Sequence, residues 1–160
     1  LTERVVTVTG PGIKKPGDYW VPIGTPMRTV LEWAGAPDVS ERSIILGGPM
    51  MGQAVASLDV PVTKGVSGIL VFDQRQIERT AASKSYPCIK CGECVKVCPM
   101  GLNPSMLGML AAQREYDAMG EHYHLGDCFE CGCCTYVCPS HIPLVQQFRV
   151  AKGILRGKAS

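Results

Sequence analysis

Cys88-Ile-Lys-Cys91-Gly-Glu-Cys94-Val-Lys-Val-Cys98-Pro99 and Cys128-Phe-Glu-Cys131-Gly-Cys133-Cys134-Thr-Tyr-Val-Cys138-Pro139 share one spacing, C-x2-C-x2-C-x3-C-P. That spacing holds iron–sulfur cubes: three thiolates converge from one tight loop running into a helical turn, and the fourth points away to the other cluster. The two runs therefore predict crossed sites. Cys88, Cys91, Cys94 and Cys138 form one [4Fe-4S] ligand set, and Cys128, Cys131, Cys134 and Cys98 the other. Cys133 is left over. Zinc motifs pair two C-x2-C knuckles across a longer gap, which neither run does. A [3Fe-4S] cube is expected where a middle ligand is missing, but all eight positions here are cysteine.

All nine cysteines lie after residue 87, so the 160-residue chain reads as two small domains. Hydrophobic residues make up 46% and charged residues 19%, a composition that buries a core. The formal net charge of +2 is too small to argue for nucleic acid or an anionic membrane surface. Each loaded cube adds about −2 when oxidised, which would make the loaded protein net acidic. An odd cysteine count at metal-ligand spacing favours a reducing compartment over a disulfide framework. Leu1-Thr2-Glu3-Arg4 lacks a secretory apolar stretch and an initiator methionine, so the chain reads as an excised fragment. No apolar run approaches the about 20 residues a spanning helix needs, so any membrane link is expected through partners.

In chain order, the alternating Arg4–Thr9 predicts a strand ended by Gly10-Pro11-Gly12, and Asp18–Ile23 a second. Thr25-Pro26 predicts a helix start with a capping hydroxyl. Met27, Val30, Leu31 and Ala34 then share one helix face, and Gly35 and Pro37 stop it. Ser43–Leu46 and Gly65–Phe72 read as further strands. Two strands, a helix and further strands predict a small α+β layer, with a β-grasp as the fitting fold. The boundaries are 1–73 for this domain, 74–86 for a polar connector and 87–160 for a helical di-cluster domain. Within the latter, Asn103-Pro104 caps a helix bearing Met106, Leu107, Leu110 and Ala111. A second helix runs from Tyr116 to about His124. A last one starts at Pro143 with Leu144, Phe148, Ala151 and Leu155 on one face, and the tail from Arg156 frays. The runs repeat at an offset of 40 residues, as 88 to 128 and 98 to 138 show, with helices between them. That is the mark of an α-helical ferredoxin domain rather than a minimal one.

Such cubes move single electrons at potentials from about −700 to +450 mV, set by charge, hydrogen bonds and exposure. Lys90 and Lys96 lie inside the first run beside Glu93, whereas Asp127 and Glu130 lie in the second with no Lys or Arg nearby in sequence. On that count the first cluster is expected at the higher potential. Cys133 reads as a small buried residue beside the cluster, against a spare ligand or redox thiol. His122, His124 and His141 read as surface or helix-end residues. Gly10-Pro11-Gly12 is a turn, because Lys15-Pro16-Gly17 blocks the helix a dinucleotide fingerprint requires. Gly47-Gly48-Pro49-Met50-Met51-Gly52 lacks the Gly-Lys-Ser/Thr of a P-loop and reads as a tight loop, with packing of its methionines on a neighbouring domain as the alternative. No carboxylate pair, nucleophile–base set or nicotinamide motif is present, so the fragment is expected to carry electrons without converting a substrate.

The stretches Leu1–Gly10, Pro22-Ile23-Gly24-Thr25-Pro26, Gly47–Gly52, Pro61-Val62-Thr63-Lys64-Gly65, both cysteine runs and Cys138-Pro139-Ser140-His141-Ile142-Pro143-Leu144-Val145-Gln146 together resemble the C subunit of the Rnf electron-transport complex, over essentially the whole chain. The resemblance implies that the first domain is a soluble-ligand-binding β-grasp (SLBB) domain; its name suggests a ligand, but the first half offers no convergent polar cluster, so a structural role linking flavin and cluster domains is expected. It implies that a flavin- and nicotinamide-binding domain precedes Leu1, with FMN and NAD(H) confined to it. It also implies exchange of electrons between NADH and ferredoxin in a sodium- or proton-moving complex. The expected partners are that flavin domain and the other Rnf subunits, membrane-embedded and cluster-bearing B-type alike, with this one peripheral on the cytoplasmic side. A cobalamin reductase of the propanediol-utilisation type, a general ferredoxin-like relay and a scaffold held together by its clusters are the competing readings.

Overall fold

The computed structural model describes residues 1–36, 44–55, 57–81 and 84–158. The expectations placed on Pro37, on Ser43, on residues 82–83 of the connector and on Ala159-Ser160 lie outside the described residues. The chain divides into two compact units, Leu1–Ala82 and Ser83–Ser160.

The first unit is a mixed five-stranded sheet carrying one helix. β1 (Glu3–Thr9) pairs antiparallel with β2 (Gly17–Pro22), with Val5 opposite Trp20 and Val6 opposite Tyr19. β5 (Gly68–Val71) lies parallel to β1, and β3 (Ile44–Leu46) joins it antiparallel, followed by β4 (Gln53–Ala54) at the edge. The order β2-β1-β5-β3-β4 around a parallel central pair is a β-grasp. Strand alternation sends Val6, Val8, Val21, Ile44 and Ile69 to one face, where all are fully buried. α1 (Met27–Trp33) delivers Met27, Val30 and Leu31 to the same core, as its 3.6-residue periodicity requires. Burying each such side chain contributes about 1.5–3 kcal/mol.

Thr25 does not cap α1. The N-cap position is Pro26, without a side-chain bond. The first helical N–H groups are met from a distant segment instead: Met27 donates to the Val60 carbonyl at 3.1 Å and Arg28 to that of Leu58 at 3.0 Å. A tertiary backbone partner thus satisfies the donors that a local hydroxyl would otherwise serve. At the other end Gly35, at φ +75°, closes a Schellman motif: Ala36 donates to Leu31 and Gly35 to Glu32. Gly10 is required by close approach, since a Cβ there would lie 1.9 Å from the Val71 carbonyl oxygen. The strand expected over Gly65–Phe72 is confined to Gly68–Val71, because a turn bond from Val66 to Thr63 bends the backbone before it. Gly47–Gly52 forms the tight β3–β4 connection, closed by Gly52 donating to Gly48 at 2.7 Å, with Met50 and Met51 exposed.

α2 (Gln74–Ala81) follows. A reciprocal capping box starts it: the Gln76 amide donates to Asp73 Oδ1 at 2.7 Å, and the Asp73 N–H donates to Gln76 Oε1 at 3.3 Å.

The second unit is helical. α3 (Glu93–Lys96) and α6 (Cys133–Tyr136) are single turns within the two runs. α4 (Pro104–Gln113) starts as expected, with Asn103 Oδ1 accepting from the Met106 N–H at 3.2 Å. α5 is Tyr116–Glu121, three residues shorter than expected, since His122 already caps it and His124 takes a left-handed φ of +51°. A 3-10 turn covers Leu125–Asp127. α7 (Leu144–Lys158) continues through Arg156, so the expected fraying does not begin there. The Lys158 ammonium is held by the Asp117 carboxylate at 2.7 Å from α5. Leu107, Met119, Leu125, Leu144, Val145, Phe148 and Ala151 form the core, in contact with Cys94 and Cys134.

Candidate iron–sulfur site

The 40-residue repeat is a repeat of backbone conformation. Lys90 and Glu130 take φ of +57° and +62°, Gly92 and Gly132 take +80° and +84°, and each glycine precedes a single helical turn. Cys98 donates to Val95 at 3.3 Å and Cys138 to Thr135 at 3.3 Å, so both fourth cysteines leave the turn identically. Gly101 and His141 then donate back to Cys98 and Cys138 at 3.1 and 3.0 Å. The N–H of Lys90 also donates to Cys88 Sγ at 3.4 Å, the kind of amide–sulfur bond that stabilises charge on sulfur.

The eight cysteines gather in two groups. Cys88, Cys91, Cys94 and Cys138 line one cavity of about 260 Å³, together with Pro87, Gly108 and Ile142. Cys98, Cys128, Cys131 and Cys134 line a second, smaller hollow of about 20 Å³ with Leu107, Val145 and Phe148. Each group holds three cysteines of one run and the fourth of the other. Among the described residues no group of three or more His, Cys, Asp or Glu side chains is placed to hold a single metal ion. Four thiols with no carboxylate among the lining residues are a soft donor set suited to iron–sulfur or zinc chemistry. The first group also offers room for a cube; the second matches it in donors, within a tighter shell.

Burial pushes the Cys94 and Cys128 thiols up, and that of Cys134 up to about 11. Cys133 lines neither hollow. It is half-buried, and its thiol is hydrogen-bonded to that of Cys131, which holds it above its ordinary value. His122, His124 and His141 are all exposed, as expected.

A contact that sequence spacing does not reveal joins the two runs. Ser140, 4% exposed, donates its hydroxyl to the Pro87 carbonyl at 2.9 Å, and its own carbonyl accepts from the Tyr86 N–H at 2.9 Å. This two-bond clasp ties the segment before Cys88 to the turn after Cys138, and both cysteines line the same cavity. Thr135 Oγ1 accepts from the Val145 N–H at 3.0 Å and likewise fixes α7 to the second run.

The charge distribution read from the sequence is overturned. Glu130 is not isolated: Arg149 and Lys152, one turn apart on α7, reach it at 2.9 and 3.1 Å, and Lys152 Nζ also donates to the Cys128 carbonyl. Burial alone would raise the Glu130 carboxyl, but these hydrogen bonds and charges outweigh it and hold the group below the usual carboxylate range. In the first run Lys96 is paired with Glu93 at 2.6 Å. The count that placed the first cluster at higher potential ignored two cations supplied 19 and 22 residues downstream, and its premise falls.

A 4Fe-4S dicluster domain family matches residues 87–142, and an SLBB domain family matches residues 5–54. The chain is 45% identical over 159 residues to a Cronobacter sakazakii protein named as the C subunit of an ion-translocating oxidoreductase complex, covering 99% of this chain and 20% of that protein. It is 43% identical over 152 residues to a Clostridium ljungdahlii protein named as the C subunit of a proton-translocating ferredoxin:NAD(+) oxidoreductase complex, covering 95% of this chain and 33% of that protein. The chain thus spans a fifth to a third of the length of these relatives. A solved structure, the Mycobacterium smegmatis Sdh1 complex in the apo form, aligns over 98% of this chain and 96% of that one with a TM-score of 0.41 and 15% identity, too distant to bear on the fold.

Proposed function

We propose that the chain is part of a C subunit of an ion-translocating oxidoreductase complex, to whose C subunits it is similar over nearly its whole length, and that it passes single electrons through two [4Fe-4S] clusters within such a complex. Cys88, Cys91, Cys94 and Cys138 hold one cluster, and Cys98, Cys128, Cys131 and Cys134 the other. The observation that carries this reading is the division of the eight cysteines between two hollows, each lined by three residues of one run and the crossing residue of the other. Each cluster, when bound, supplies a one-electron couple. The protein's part is to hold the thiolates at fixed spacing, to donate the Lys90 amide to sulfur, and to keep water from the second group behind Leu107, Val145 and Phe148. Neither site can be completed by one run alone.

The partners on this reading are a flavin domain binding FMN and NAD(H) in the rest of the protein, and the membrane-embedded and cluster-bearing subunits of the complex. No described helix is long and apolar enough to cross a membrane. From the similarity to those C subunits, the reading places this part of the protein peripherally at the cytoplasmic face, attached through its partners. Functional boundaries are 1–73 for the SLBB domain, 74–86 for the connector and 87–160 for the cluster domain.

Anaerobic reductive titration followed by electron paramagnetic resonance tests the proposal. Two reversible one-electron signals and about eight iron atoms per chain are expected. A single cluster, or iron that does not cycle, would overturn the relay.

A further inference from the structure

Two buried polar side-chain atoms among the described residues lack a hydrogen-bond partner: Arg4 Nε in the first unit and Gln147 Oε1 in the second. A buried carboxamide oxygen without a donor is costly, and a group left in that state asks for a reason. Gln147 lies on α7 and lines the cavity of Cys88, Cys91, Cys94 and Cys138. Its backbone N–H is engaged by the Pro143 carbonyl at 3.1 Å, so only the side chain is at issue. A close helix approach sets it there. A Cβ on Gly108 of α4 would lie 2.5 Å from Leu144 Cδ2 and 3.8 Å from Gln147 Oε1, so the bare glycine leaves room for α7 against this wall.

The other polar side chains of the wall are committed or exposed. The Ser140 hydroxyl donates to the Pro87 carbonyl and that of Ser105 to Asn103 Oδ1 at 2.7 Å, while Ser85 and Tyr86 are exposed. The second hollow has no counterpart of Gln147: apart from its cysteines, the described residues on its wall are proline, leucine, glycine, valine and phenylalanine. Backbone donors do not separate the two groups, since Cys88 accepts from the Lys90 amide and Cys128 from that of Glu130.

Resting on the relay reading above, we propose that the Gln147 carboxamide is a side-chain hydrogen-bond donor to the first cluster, which raises the potential of that cluster and not of the second. A carboxamide carries an acceptor and a donor at the ends of one planar group, so half a turn about its last bond puts the NH2 where the oxygen lies. Thiolates and sulfides are acceptors, and a donor to them favours the more negative, reduced form. Gln147 makes and breaks no covalent bond in this role.

The test is a dithionite titration of the cluster-loaded protein with redox mediators, each cluster followed by electron paramagnetic resonance. In Gln147→Met, similar in length but without a donor, the reduced-to-oxidised ratio of the first cluster at a fixed potential should fall at least about fivefold, equivalent to about 40 mV for a one-electron couple. The second cluster should keep its ratio. Gln147→Leu, of different shape but equally without a donor, should give the same shift, whereas a packing role would separate the two variants. Gln146→Met, at the exposed neighbouring position, should shift neither cluster. Nitrogen-isotope labelling of glutamine side-chain amides should alter the spin-echo modulation of the first cluster's reduced signal in wild type and not in Gln147→Met. A shift under about twofold, an equal shift in both clusters, or a modulation that labelling leaves unchanged would overturn the assignment. Wild-type clusters that accept no electron from dithionite would instead reject the relay reading itself, so the two failures are distinct.

Discussion

The two cysteine runs are nearly one structure written twice, yet they sit in different surroundings. Their turns match in backbone torsion within a few degrees at each glycine. The first is exposed at Tyr86, Ile89 and Cys91, with its acid and base, Glu93 and Lys96, paired three residues apart. The second lies against α7, which covers it with Val145 and Phe148 and answers Glu130 with Arg149 and Lys152. Identical ligand spacing thus fixes what each site is suited to hold, while the element packed on it sets burial and charge, the quantities that tune a cluster.

The largest expected effect concerns the crossing. Cys138→Ala, though in the second run, should abolish the cluster of Cys88, Cys91 and Cys94 and remove about half of the iron, leaving the second cluster's spectrum. Cys98→Ala should do the reverse. Loss of the cluster belonging to the mutated run alone would mean that the runs are separate sites.

A smaller effect is expected at the clasp. Ser140→Ala removes a part-buried hydrogen bond of about 1 kcal/mol and should speed release of the first cluster's iron to a chelator, leaving the second unchanged. Met100→Ala, at the matching position of the other half, is exposed and should alter neither rate. Equal loss from both clusters on Ser140→Ala would mean that the serine serves general stability.

The smallest effects are electrostatic. Glu130→Gln should cost about 0.5–1 kcal/mol in thermal unfolding and raise the potential of the second cluster by removing one negative charge. Because the folded-state carboxyl is held low, its stabilisation is present above the ordinary carboxylate range and is lost as pH falls through the lowered value. The variant should show a flatter acid limb. Lys96→Ala, removing an exposed pair, should leave unfolding unchanged. A larger shift from Lys96 than from Glu130 would reverse the ranking of the two environments.

Much of the fold is legible from local pattern. The alternation of Arg4–Thr9, the stripe Met27, Val30, Leu31 and Ala34, and the Asn103-Pro104 start report on neighbours within a turn or a strand, and each matches the structure. The Asp73–Gln76 capping box is equally local, but it sits in a stretch whose many polar side chains give it no contrast. Thr25 misleads because the donors of α1 are served by Leu58 and Val60, some 30 residues away.

By itself the sequence determined the cysteine spacing, the repeat of 40 and the order of a β-grasp followed by a helical cluster domain. These follow from chain geometry over a few bonds, from a fixed ligand spacing and from hydrophobic period. Only the tertiary structure decided which charges stand beside each run, which side chains wall each ligand group, and that Ser140 joins the segment of Cys88 to that of Cys138. The physical reason is range: a side chain's electrostatic neighbours lie within several ångströms in space, and packing α7 on the second run supplies them from residues 19 and 22 positions along the chain.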